Sequence, residues 1–246
     1  MSRILVIGDS CRDVFVYCDS DRLCPDIPVP VLNILDQREN PGMAKNVQRN
    51  ISSLNINCDI ITNANWHNYT KTRYVHRKSN HMFFRVDSGC VSSKFDISEI
   101  KNQYDILVIS DYNKGYISES DIEQICGMHG NVFIDTKKTI GSWCSLAKFI
   151  KINNHEYERS KKFITKDLES KLIVTSGDYG CTYNGINYPV RKVEVMDVSG
   201  AGDTFMAGLV VSYSKNKDII EAIKFANNCA SEIVRHVGVN CIGDFI

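Results

Sequence analysis

The feature that most limits how this chain can fold is a repeated alternation of short apolar runs with longer amphipathic stretches. Residues 4–7, 59–62, 106–110, 132–135, 149–152 and 172–175 are short and β-rich, so each reads as a buried strand. Helical spacing separates them. Ala44, Val47, Ile51 and Leu54 share one face behind Asn40 and Pro41, which predicts a helix capped by Asn40 with the proline in its first turn. Ser118 and Asp121 have capping-box spacing ahead of a second helix running towards Gly130. A third stripe, from Ile219 through Ile223, Ala226, Ala230 and Ile233 to Val237, starts at Asp218 and closes on Gly238. This order predicts an α/β fold with a mainly parallel sheet covered on both faces, whose ligands bind beyond the carboxyl ends of the strands.

Residues 14–17, 29–35, 72–76 and 81–86 break the alternation. They predict a small β-lid built from segments near 12–38 and 70–87. A hairpin is expected around Asn184 and Gly185, a favoured two-residue turn. At 246 residues and 43% hydrophobic, the chain can bury one full core, so residues 1–246 read as a single domain. A formal net charge of +0 supplies no global field for nucleic acid or membrane, and an anionic ligand must be held by local groups. The ten cysteines are scattered, with no C-x-x-C pair and no zinc spacing, which reads as buried or incidental thiols of a reducing cytoplasm. Neither a membrane-spanning run nor a signal-peptide pattern is expected.

The chemistry is concentrated in D-V-S-G-A-G-D-T-F, Asp197 to Phe205. Gly200, Ala201 and Gly202 can aim successive backbone amides at one point, and a helix opening near Asp203 aims its positive end there too. The result is an anion hole beside a carboxylate able to take a proton from an attacking hydroxyl, the two parts phosphoryl transfer needs from a protein. A glycine turn with a capping aspartate is the other reading of G-x-G-D alone.

The wider sequence resembles the ribokinase-like (PfkB) carbohydrate kinases nearly end to end, and D-V-S-G-A-G-D-T-F is similar to their carboxyl-terminal signature following a strand and opening a helix. The nearest resemblance is to the kinase domain of the heptose 7-phosphate kinases and adenylyltransferases of lipopolysaccharide inner-core synthesis. It is carried by G-D-S-C-R-D (8–13), R-L-C-P-D-I-P-V-P-V (22–31), N-P-G-M-A-K-N-V (40–47), S-D-Y-N-K-G (110–115), I-D-T-K (134–137) and F-A-N-N-C-A (225–230). It implies a three-layer αβα sandwich and an ATP- and Mg²⁺-dependent kinase of a sugar or sugar phosphate, D-glycero-D-manno-heptose 7-phosphate first. It also implies Asp203 as base, with Gly200, Ala201 and Gly202 as the anion hole. Asn153 and Glu156 would organise magnesium, Thr175, Gly177 and Gly180 would flank the nucleotide phosphates, and Asn227 and Gly238 would lie near the adenine. On the sugar side it implies Asp13, Gly42 and Asn46, with Arg85, Lys114 and Lys137 neutralising a substrate phosphate. A helix cap remains the alternative for Asn153 and Glu156, and a charged surface for the three basic residues.

The chain departs from that family in three places. Segments 62–70 and 159–171 are short, and Met43 and Lys45 stand where small residues let backbone approach the sugar. A kinase of another sugar or nucleoside, or a catalytically silent sugar- or nucleotide-binding protein, are the rival readings. Exposed lid strands would favour a homodimer.

Overall fold

Ile4 and Val6 point to one face of a central sheet and Leu5 and Ile7 to the other, and all are buried. A strand with both faces covered must be apolar at every position, which is why these runs do not alternate with polar residues. The computed structural model describes residues 2–91, 93–101 and 103–246. In chain order the elements are β1 (Arg3–Gly8), β2 (Ser10–Asp19), β3 (Asn33–Met43), α1 (Ala44–Ser53), β4 (Asn57–Thr62), β5 (Thr70–His76), β6 (Met82–Ser88), β7 (Ile106–Asp111) and α2 (Glu119–Met128). They continue with β8 (Val132–Thr136), β9 (Phe149–Asn153), α3 (Asn154–Ser160), α4 (Lys166–Glu169), β10 (Leu172–Thr175), β11 (Cys181–Tyr183), β12 (Ile186–Tyr188), α5 (Ala201–Asn216) and α6 (Ile219–Ile233).

The central sheet has eight strands in the order β12-β11-β10-β9-β8-β7-β1-β4, parallel from β4 to β10. Side chains of α1, α5 and α6 fill one face of it, and those of α2 fill the other. The strand order reverses at β1, between β4 and β7, where the rule for open α/β sheets places a ligand crevice. Only glycine fits the end of β1, since a Cβ on Gly8 would lie 1.8 Å from the Ser110 carbonyl oxygen.

The lid is a second, four-stranded sheet, β3-β2-β5-β6. On its inner face stand Phe15, Tyr17 and Val75, packed on Val239. Its strands are longer than the sequence implies; of the expected 29–35 run only residues 33–35 are strand, with Pro30 in an isolated bridge to Leu23, and β3 continues to Met43 and alters the expected start of the first helix. Asn40 and Pro41 do not cap or open that helix; they pair with Asp13 and Arg12 as strand, and α1 begins at Ala44 after Met43. Because β3 is an edge strand, Pro41 can join it on the side where its missing N–H is not required.

Two further expectations are corrected. The last helix ends at Ile233, short of Gly238, because the Val234 carbonyl receives the amides of Met196 and Asp197 at 2.8 and 3.2 Å. Those same bonds hold the segment before the signature as irregular chain, with no strand between Tyr188 and Gly200. The Asn184–Gly185 hairpin forms, with both central residues at positive φ. All ten cysteines are free thiols, six of them buried. No helix among the described residues is long and apolar enough to cross a membrane.

Candidate active site

At the strand-order reversal the Asp9 carboxylate accepts the amides of Tyr112, Lys114 and Tyr116 at 2.8, 3.4 and 3.3 Å. Burial, then the charge of Asp111, pushes the Asp9 carboxyl up from its ordinary range. Asp111 is held in turn by Thr136 and Lys138. This buried network shapes the loop after β7 and directs Tyr112 across the crevice.

Asp203 is the third residue of α5 and only 5% exposed. Its Oδ2 accepts from Asn46 Nδ2 at 2.8 Å and its Oδ1 from the Tyr112 hydroxyl at 2.5 Å. Burial raises its carboxyl to about 6, against the lowering effect of those two hydrogen bonds. A carboxylate poised near neutrality is suited to accepting a proton.

Around it the glycines are closely packed. Gly200, at φ 80, caps α5 in the left-handed region, and a Cβ there would come within 3.0 Å of Asn46 Nδ2. The three successive amides are not equivalent, because the Ala201 N–H is directed back to the Val198 carbonyl at 3.2 Å. Beside Gly202 lies a buried ion pair, Lys151 to Asp135 at 2.8 Å, and a Cβ on Gly202 would be 3.0 Å from Lys151 Nζ.

Asp13, Met43, Asn46, Lys71, Tyr112 and Asp203 are among the residues lining a cavity of about 60 Å³. Asp13 is paired with Arg73 at 2.5 Å, and a Cβ on Gly42 would overlap the Asp13 carboxylate at 2.4 Å. Met43 is buried and held at φ 61, ψ −128, a conformation that is nearly glycine-only and costs about 1–3 kcal/mol. Its side chain packs with Cys11 and Tyr69 on the cavity wall, so the departure from a small residue places bulk at this site.

The other expected residues are spread more widely. Asn153 and Glu156 form a reciprocal capping box on α3, and Lys137 reaches Glu156 Oε1 at 2.5 Å. Lys137 is thus paired with the buried Glu156 carboxylate, and its ammonium also lies 5.6 Å from the Tyr112 ring centre. Arg85 lies on the exposed strand β6 and is held by Asp87 at 2.7 Å. Lys114 is exposed, its ammonium 5.7 Å from the Tyr69 ring centre. Gly177 and Gly180 turn at positive φ after β10, and the Thr175 hydroxyl bonds back to the Ile152 carbonyl at 3.3 Å. Asn227 is buried and donates to the Tyr188 carbonyl at 2.9 Å, while Gly238 donates its amide to Asp197 at 2.9 Å. A Cβ on Gly238 would lie 3.7 Å from the Tyr17 hydroxyl of the lid.

No group of three or more His, Cys, Asp or Glu side chains able to hold a metal ion occurs among the described residues. Glu156 Oε1 already accepts from Lys137 and from Asn153 Nδ2, and Oε2 accepts the Asn153 amide. Such a set does not suit direct ligation. The lone pair left on Oε2 does suit a water bound to magnesium, a cation that keeps much of its hydration shell.

Residues 43–242 match the description pfkB family carbohydrate kinase. The chain belongs to the pfkB family of carbohydrate kinases. Among curated proteins it is 28% identical to the bifunctional protein HldE of Helicobacter pylori, over 97% of this chain and 64% of that protein. It is 26% identical to HldE of Aeromonas hydrophila, over 98% of this chain and 62% of that protein. The chain thus spans about three fifths of the length of these relatives. Among solved structures, ribokinase of Thermotoga maritima aligns with a TM-score of 0.76 at 19% identity, over 97% of this chain and 95% of that one. The nucleoside kinase of Methanocaldococcus jannaschii gives 0.73 at 18%, over 97% and 93%. These two show the fold, a ribokinase-like α/β architecture.

Sequence reasoning missed Tyr112, Lys71, Arg73, Asp135 and Lys151 at this pfkB site. Tyr112 and Asp135 lie inside S-D-Y-N-K-G and I-D-T-K, where the neighbouring lysines carry the more obvious charge signal.

Proposed function

We propose that the protein is an ATP-dependent kinase that phosphorylates a hydroxyl of a sugar or sugar phosphate, with D-glycero-D-manno-heptose 7-phosphate as the leading acceptor. The observation that carries this reading is Asp203, buried in the first turn of α5 with its carboxyl raised to about 6 and both oxygens directed by hydrogen bonds. A module that only bound sugar would have no use for such a base. The heptose assignment rests on the resemblance to HldE proteins, and the bulk of Met43 bears on it directly.

In the proposed reaction the acceptor hydroxyl replaces the Tyr112 hydroxyl on Asp203 Oδ1. Asp203 takes its proton as the sugar oxygen bonds to the γ-phosphorus and the bond to the bridging oxygen breaks, releasing ADP. Amides of Gly200 and Gly202 at the start of α5 stabilise charge on the transferring group, with the positive end of the helix behind them. Asp13 and Asn46 orient the sugar. Magnesium arriving with ATP would neutralise phosphate charge, held through water by Glu156, which Asn153 positions. Thr175, Gly177 and Gly180 flank the phosphates, and Asn227 and Gly238 belong to the adenine side. Lid strands of two copies meet in a homodimer.

The test is ADP release from ATP against a panel of sugars, nucleosides and sugar phosphates. Turnover with heptose 7-phosphate well above the rest supports the full reading. Turnover with another sugar alone removes the heptose assignment, and no turnover with any acceptor removes the kinase.

A further inference from the structure

One charged side chain in the cavity wall has no partner in the arrangement so far. Lys71, on β5 of the lid, is 7% exposed. Its cross-strand neighbour Asp13 is paired with Arg73, and Asp203 is occupied by Asn46 and Tyr112. Among the described residues no carboxylate lies within ion-pairing distance of the Lys71 ammonium, and no hydrogen-bond acceptor meets it. Its neighbours are aromatic faces instead, Tyr112 at 4.8 Å and Tyr69 at 5.9 Å from the ring centres.

A second cation lies against the same ring. Lys114, on the loop fixed by Asp9, lies 5.7 Å from the same Tyr69 ring, and it too has no carboxylate partner among the described residues. Burial, above all, draws the Lys71 ammonium below its ordinary value, and the charges of Lys114 and Arg73 act in the same direction, against the charge of Asp13, which is near but paired with Arg73. Cys11 gives no compensating charge, because burial pushes its thiol up to about 12 and leaves it neutral.

A buried ammonium without a counter-ion is costly in any fold, and two converging cations compound that cost. Aromatic faces offset part of it and help keep the group charged. The rest is recovered when a ligand brings the missing negative charge into the low-dielectric pocket, so such a site discriminates by ligand charge more than by shape.

We propose that Lys71, backed by Lys114 beside the same Tyr69 ring, is the subsite for an anionic group carried by the acceptor, a phosphate or a carboxylate, and is the residue by which the protein prefers acidic sugars to neutral ones. The proposal rests on the reading above, that this cavity takes the sugar. Of the three basic residues expected to meet a substrate phosphate, Arg85 and Lys137 are paired with carboxylates, so Lys114 is kept and Lys71 takes the leading place.

The experiment uses three ligands with one ring and different groups at C6: D-mannose, D-mannose 6-phosphate and D-mannuronate. Their affinities for the whole protein are measured by calorimetry with ADP present, so no turnover is needed. Wild type is expected to bind at least one of the two acids on the order of 10- to 100-fold more tightly than mannose. The acid that gains more identifies phosphate or carboxylate as the group taken. In Lys71→Met that preference falls to within about threefold, with mannose and ADP affinities unchanged; Lys71→Arg keeps most of it, and Lys114→Met loses several-fold. The proposal is overturned if wild type binds neither acid or does not prefer one to mannose. Equal weakening of all three ligands in Lys71→Met, or retained preference, overturns it too. If Lys71→Met does not fold, Lys71→Gln replaces it and the same ratios decide. Failure of the kinase reading shows up separately, as absent ADP release with these binding ratios intact.

Discussion

The Tyr112 hydroxyl donates to Asp203 Oδ1 at 2.5 Å, joining the loop after β7 to the first turn of α5 across 91 residues of sequence. It occupies the position an acceptor hydroxyl needs on the proposed base. Tyr112→Phe frees that oxygen, so KM for the acceptor should fall several-fold, while loss of a lowering hydrogen bond shifts the acidic limb of the rate profile upward in pH. An unchanged KM with a large loss of kcat would mean that Tyr112 orients Asp203 and does not compete with the sugar.

Asp203→Asn keeps the size of the side chain and removes the proton acceptor. Turnover should fall by roughly 10²- to 10⁴-fold, with nucleotide affinity preserved in calorimetry. Near-normal turnover of the folded variant would refute Asp203 as the base.

The raised Asp203 carboxyl also sets a pH dependence. As a base it must be ionised, so turnover should decline as pH falls through about 6. Stability moves the other way. Between the ordinary value of 3.8 and about 6 the folded state holds a proton that the unfolded state has released, so this residue's contribution to stability declines as pH rises across that window and levels off above it. Denaturation of wild type and Asp203→Asn across pH 4–7 should show that difference, and parallel curves would exclude it.

Glu156 is both a cap and the partner of Lys137, so it cannot be altered silently. Glu156→Gln should cost about 1–3 kcal/mol in denaturant unfolding. It should also raise the magnesium concentration giving half-maximal rate. A loss of stability with unchanged magnesium dependence would leave the residue a purely structural cap.

Met43→Gly removes a strained backbone and a buried side chain together, two changes of opposite sign for stability. Its sharper effect should be on selectivity: kcat/KM for heptose 7-phosphate should rise about tenfold relative to a pentose as the wall recedes. An unchanged ranking of acceptors would show that Met43 does not limit the sugar.

Five of the six central strands expected from the sequence were legible because burial on both faces imposes apolar runs; the sixth, β4, was found as a short β-rich run but is an edge strand with no buried residue, and the turn into α5 was legible because glycine spacing records backbone geometry. Pairings between distant segments were not. Nothing local in T-K-T-R indicates that Lys71 lacks an anion while Arg73 finds Asp13, since that depends on the register between β2 and β5. The N-x-x-E spacing of Asn153 and Glu156 was visible, but the same two residues serve a cap or a hydrated cation equally well. The start of α1 was misplaced because Asn-Pro is a strong local signal for a helix opening, and the cross-strand pairing of β3 with β2 outweighs it.

β3 passes from the lid into α1 with no loop between them, through Gly42 and the left-handed joint at Met43. Lid and helix are therefore one crank. Asn46 sits on its short arm, one turn beyond the joint and bonded to Asp203, so the long lid strand and the carboxylate that would take the proton are joined by one unbroken stretch of chain and a single hydrogen bond.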